Sequence, residues 1–155
     1  MSNIYLICPV RGVTPEEQVA LDAYVAGLEK NGHTVHYPPR DTDQTDDGCG
    51  LKICESHRRA LWKADEVHVW WNPTSTGSHF DFGMAYVISR IRPLRFVVAG
   101  PPGMKPSKHK SYFNVFWRLA SKHGKHPYGA PVRRASGPSA SNACRNGAAT
   151  VRGRD

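Results

Sequence analysis

Apolar side chains fall along the chain in short clusters whose spacing alternates between that of strands and that of helices. Asn3–Cys8 (NIYLIC) is a nearly continuous apolar run, as expected of a strand covered on both faces. After the turn Pro9–Val13, Thr14-Pro15-Glu16-Glu17 sets a capping hydroxyl, a proline at the first helical position and a carboxylate three residues beyond the cap. Leu21, Val25 and Leu28 then recur at helical spacing, and Gly32 closes the helix. Thr34–Tyr37 reads as a second strand and Pro38–Gly50 as a polar loop. Leu51–Lys63 is a helix with Ile53, Ala60 and Leu61 inward, followed by a third strand over Val67–Trp71. Asn72–Gly77 reads as a turn, Ser78–Ser89 as a helix, Leu94–Ala99 as a fourth strand and Gly100–Lys110 as a loop. A last helix over Ser111–Lys122 presents Tyr112, Phe116 and Leu119 on one face.

This alternation predicts a single α/β domain of flavodoxin-like or Rossmann-like type. Its mostly parallel sheet of four to five strands carries helices on both faces. The domain is expected to span 1–132. From Arg133 the chain turns rich in Arg, Ser, Gly and Ala without periodicity, and 133–155 reads as a disordered tail.

Composition narrows the class. Hydrophobic residues make up 39% and charged residues 22% of the 155, an ordinary globular balance. No apolar run approaches the roughly 18 residues of a membrane span, and Met1–Asn3 leads straight into a strand rather than a signal peptide. The formal charge is +8, and half of that excess falls on the five arginines and one aspartate from Arg133 onward. Such a chain favours anionic partners; nucleic acid binding through Arg133, Arg134, Arg145, Arg152 and Arg154 is one reading, without interleaved aromatics to strengthen it. Cys8, Cys49, Cys54 and Cys144 lack CxxC spacing, so a reducing, cytoplasmic compartment is expected.

In an open parallel sheet, ligands bind beyond the carboxyl ends of the strands where the strand order reverses. Two segments of distinctive chemistry follow such ends: Pro9-Val10-Arg11-Gly12 and Pro73-Thr74-Ser75-Thr76-Gly77-Ser78. With a strand order of 2-1-3-4 they would be neighbours. Hydroxyls and backbone N–H groups at a helix start suit an oxyanion, and Arg11 would add a bidentate cation; the alternative is plain helix capping and a surface arginine. Asp81, three residues after Ser78, completes an approximate capping box or else holds a carboxylate over the crevice. Dinucleotide and P-loop fingerprints are absent. The acidic loop with Asp41, Asp43, Asp46 and Asp47 lacks calcium-ligand spacing; His33/His36 and His123/His126 have the spacing of metal pairs, but His123 and His126 sit among basic and Pro/Gly residues with no Cys or carboxylate nearby. Neither a metal nor another cofactor is expected.

Three segments resemble the nucleoside 2-deoxyribosyltransferase superfamily, which includes deoxynucleoside 5'-monophosphate N-glycosidases. They are Ile4–Cys8 with Val10-Arg11-Gly12, then Lys63-Ala64-Asp65-Glu66-Val67, then Thr76–Ala85. The last resembles the family's Gly-x-x-x-Glu-x-Gly-x-Ala signature, and the resemblance runs over Ile4–Val98. It implies an enzyme acting at the N-glycosidic bond of a nucleoside or nucleotide through a carboxylate nucleophile, with water or a second base resolving a glycosyl-enzyme. By resemblance Asp81 is that nucleophile and Tyr5 its hydrogen-bond partner. The resemblance further implies that Ser75, Arg11 and Gly12 face a 5'-phosphate, with Gly77 and Ser78 in the same loop, and that the protein is a homo-oligomer. The Lys105–Lys110 loop and the Tyr112–Leu119 helix are candidates to complete the site across a subunit interface.

Two positions depart from the family. Its glutamate is Asp81 here, one methylene shorter, and its second aspartate is His57, with Glu55 a neighbouring candidate. A histidine serves as a general acid as readily as it sits on a helix surface. The alternative to an enzyme is a nucleotide-binding or sensor domain of the same fold that performs no chemistry.

Overall fold

A computed structural model describes residues 1–45 and 48–121. The expected tail, the 132/133 boundary, Asp46, Asp47, His123, His126 and Cys144 lie outside the described residues. Four strands form one parallel sheet: β1 (Asn3–Ile7), β2 (Thr34–His36), β3 (Glu66–Trp70) and β4 (Arg95–Gly100), in the order β2-β1-β3-β4. Between and after them run α1 (Pro15–Lys30), α2 (Pro38–Asp41), α3 (Leu51–Lys63), α4 (Thr76–Ile91) and α5 (Tyr112–Ser121).

Alternate side chains of each strand divide the core in two. Tyr5, Ile7, Val67, Val69 and Trp71 face a layer built from Leu61, Phe82, Ala85, Ile88, Phe113, Phe116 and Leu119, on α3, α4 and α5. Ile4, Leu6, Cys8 and Trp70 face Leu21 and Val25 of α1. Helices therefore cover both faces. The cause is connectivity: β1→β2 and β3→β4 run in opposite directions along the sheet, and right-handed crossovers put α1 and α4 on opposite sides.

The helix signals act largely as read. Thr14 Oγ1 accepts from the Glu17 N–H at 3.2 Å, and α1 ends at Asn31 with Gly32 at φ +83°. Leu21 and Val25 are buried and Leu28 is half-buried against them. At the far end of α4, Arg92 Nη2 donates to the carbonyls of Leu61, Trp62 and Ala64 at 3.1, 2.7 and 2.6 Å. It thereby satisfies the open carbonyls that terminate α3.

Three expectations need correction. The polar loop 38–50 contains α2, whose Pro38 suits the first helical position and whose Asp41 carboxylate accepts from the Tyr37 N–H at 2.7 Å. Helix α4 starts at Thr76, two residues sooner than Ser78, with Ser75 as its cap. In α5 the buried stripe is Phe113, Phe116 and Leu119, while Tyr112 is 66% exposed. Phe116 and Leu119 are buried as expected, and only the first member of the stripe moves, from Tyr112 to Phe113.

Where β3 meets β4, the ladder shifts after Val69 so that Trp70 pairs with Gly100. A Cβ at Gly100 would stand 2.7 Å from two carbons of the Trp70 ring. Gly100→Ala is therefore expected to destabilise the fold by about 1–3 kcal/mol, measured by urea unfolding, because a buried indole has nowhere to retreat.

Candidate functional site

The strand order puts β1 beside β3 at the point where the connections diverge, so the loops after Ile7 and Trp70 border one crevice. Three of the sequence-derived residues meet here. Tyr5 projects from β1, His57 from α3 and Asp81 from α4. The Tyr5 hydroxyl donates to Asp81 Oδ2 at 2.8 Å, and His57 Nδ1 lies 3.1 Å from Asp81 Oδ1. All three are buried, with Asp81 only 5% exposed.

Asp81 is thus no capping residue. Ser75 Oγ accepts from the Ser78 N–H at 3.3 Å, and the two serine hydroxyls are 2.8 Å apart. That shift in phase carries Asp81 beyond the first turn and onto the buried face of α4. An ionised Asp81 receives a donor on each oxygen, and each oxygen keeps a lone pair for another group. Burial first, and the Asp81 charge second, push the Tyr5 phenol well above its ordinary range, so Tyr5 stays a donor.

Behind this set, Tyr5 stacks on His36 at 5.1 Å and 15°, as their pairing across β1 and β2 requires. His36 Nε2 lies 3.1 Å from Thr42 Oγ1, and burial holds the imidazole below its usual range. His57 Nε2 is buried without a hydrogen-bond partner among the described residues.

The anion-site candidates are placed differently. Arg11 and Gly12 are exposed in the loop after β1, Gly12 at φ +69°. Arg11 makes no hydrogen bond or ion pair with a described residue. Ser75 and Gly77 begin α4, Gly77 exposed with open space where a Cβ would stand. Ser78 is buried, its hydroxyl directed to Ser75, so it belongs to the cap rather than to a ligand surface.

Two further residues at the crevice escape a reading by motif. Glu17 Oε1 accepts the Trp70 indole N–H at 2.9 Å. His79 Nδ1 donates to the Ser75 carbonyl at 2.7 Å, its ring 4.8 Å from that of Trp71 and 5.6 Å from that of Tyr112. The Trp70-Trp71 pair was their one signal, since adjacent strand residues must reach opposite faces.

Among the described residues no three His, Cys, Asp or Glu side chains are grouped to hold a metal. His33 and His36 border an open groove of about 490 Å³ beside β2 with Glu29, Arg40 and Asp41. Arg40 there is already paired with Glu29 and Asp41, so the groove offers no spare cation. No described helix is long and apolar enough to cross a membrane.

Neither the protein-family models nor the curated proteins contain a match to this chain. Among solved structures, it is similar to the 2-deoxyribosyltransferase of the psychrotolerant bacterium Bacillus psychrosaccharolyticus, a biocatalyst for nucleoside synthesis. The match has a TM-score of 0.52 at 20% identity and covers 67% of this chain and 76% of that one. A likeness at that identity establishes the shared fold.

Two imidazoles, half-buried His36 beside Tyr5 and buried His68 against Tyr24 of α1, give the fold a pH signature. Burial holds both His36 and His68 below the ordinary histidine range. The unfolded chain takes up protons near pH 6.5 that the folded chain refuses, so stability is present above about pH 6.5 and lost as pH falls through the folded values. Urea unfolding between pH 7.5 and 5 should show this decline, and His68→Gln should flatten part of it.

Proposed function

We propose that the protein cleaves or transfers at the N-glycosidic bond of a deoxynucleoside 5'-monophosphate, with Asp81 as the nucleophile. The observation that carries this reading is the buried Tyr5–Asp81–His57 set at the point where the strand order reverses. Its fold is shared with an enzyme that is itself a 2-deoxyribosyltransferase.

In this reading an Asp81 oxygen attacks C1' of the sugar as the bond from C1' to the base nitrogen breaks. The base leaves with the bonding electron pair and takes a proton. Water, or a second base, then displaces Asp81 from C1' and restores the free carboxylate. Tyr5 and His57 hold the carboxylate in one orientation, which is where a positioned nucleophile gains most of its advantage. His57 is also the group that gives the departing base its proton and, when water resolves the intermediate, takes one back from that water. The 5'-phosphate sits against the first turn of α4, where the Ser75 side chain and the Thr76 and Gly77 N–H groups gather, and Arg11 closes over it.

A second reading, nucleotide binding without chemistry, is favoured by the fact that both Asp81 oxygens already accept a hydrogen bond inside the protein. The two readings part in one experiment. Incubation with each common deoxynucleoside 5'-monophosphate, followed by chromatography, should release free base from at least one, and Asp81→Asn should abolish the release while leaving the circular dichroism spectrum unchanged. Saturable thermal stabilisation by a nucleotide without any base release selects binding alone. Absence of both effects across the panel rejects the nucleotide site.

A further inference from the structure

Glu17 occupies the position from which a carboxylate ordinarily reaches back to the N-cap of its own helix. It does not do so. Its Oε1 instead accepts the indole N–H of Trp70, a residue 53 positions away at the end of β3. Oε2 has no partner among the described residues, and the side chain is half-buried. A capping group has been drawn off its helix and fixed at the carboxyl end of the neighbouring strand.

This location matters because α1 and α4 lie on opposite faces of the sheet, so their first turns flank the same crevice from its two sides. Asp81 enters from the α4 side and Glu17 from the α1 side. After burial, the charges of Asp81 and Glu17 are what push the Cys8 thiol upward. Glu16 and Glu17 fill the first turn of α1 with negative charge, whereas the first turn of α4 carries none. Of the two helix starts, that of α4 is therefore the one suited to a phosphate, with Arg11 reaching it from the loop ahead of α1. What Glu17 can take is a neutral hydrogen-bond donor.

We propose that Glu17 is a specificity-determining residue whose free carboxylate oxygen accepts the 3'-hydroxyl of the bound sugar. This rests on the nucleotide reading above, in which the phosphate is on O5'. A 2'-deoxyribose so substituted retains a single hydroxyl, on C3', and its C1' must reach Asp81. The sugar ring then bridges the two carboxylates, and the free oxygen of Glu17 is the acceptor placed on the opposite side from the phosphate.

The test compares a 2'-deoxynucleoside 5'-monophosphate with its 2',3'-dideoxy counterpart on the full chain and on Glu17→Gln. Glutamine keeps the length and leaves an oxygen for Trp70. The readout is Kd by calorimetry, or KM where base is released. Glu17→Gln should weaken the hydroxyl-bearing ligand about tenfold, which corresponds to about 1.4 kcal/mol, and leave the dideoxy ligand unchanged. An equal loss for both ligands, or no loss for either, overturns the assignment of Glu17. Hydroxyl-dependent binding without base release upholds Glu17 and overturns the glycosidic chemistry, and failure of the unmodified chain to bind either ligand overturns both.

Discussion

A carboxylate removed from water must be met by donors, and Asp81 is met by two that come from different parts of the chain. Tyr5 lies 76 residues away on β1 and His57 lies 24 residues away on α3. Removing either donor leaves a buried acceptor short of a hydrogen bond, at a cost on the order of 1–3 kcal/mol. The mutual placement of β1, α3 and α4 is therefore tied to a single acidic side chain. Arg92 reinforces the same grouping at the other end of α4, where it closes the carbonyls of α3. Between these two polar anchors lies an aromatic interior in which Phe82, Phe96 and Phe116 meet edge-to-face at 6.0–6.3 Å and Phe113 lies tilted against Phe116 at 6.1 Å.

Much of this architecture is legible in the sequence because local and tertiary demands agree. The run from Ile4 to Cys8 is apolar on both faces because helices cover both sides of β1. Thr14-Pro15 and Gly32 bound α1 because the backbone needs a cap at one end and a positive φ at the other. Alternation of strand and helix fixes the class, whereas the strand order is a condition of the sequence reading that only the folded chain supplies.

The site is less legible, for identifiable reasons. Thr74, Ser75, Thr76 and Ser78 offer several hydroxyls as caps within five residues, and local preference does not choose among them. Burial of Asp81 chooses: only with Ser75 as the cap does the carboxylate turn toward Tyr5. The same holds for α5, where Tyr112 and Phe113 are alternative first members of a stripe and packing against Trp71 and Phe116 selects Phe113. His36 beside Tyr5 follows from strand register, and Glu17 on Trp70 follows from a contact between elements that no spacing rule encodes. Arg11 stands exposed in the loop after β1 without a bond to a described residue, so no contact within the fold could have signalled a role for it.

The two indoles at the end of β3 have a consequence for how the molecule checks its own assembly. Trp70 engages Glu17 on one side, and Trp71 packs on His79 and Phe113 on the other. Sliding that strand by a single position would exchange their sides, stranding a carboxylate and emptying an aromatic slot at once. Misalignment is penalised in both layers simultaneously, so the neighbouring tryptophans act as a proofreading device for the carboxyl end of β3.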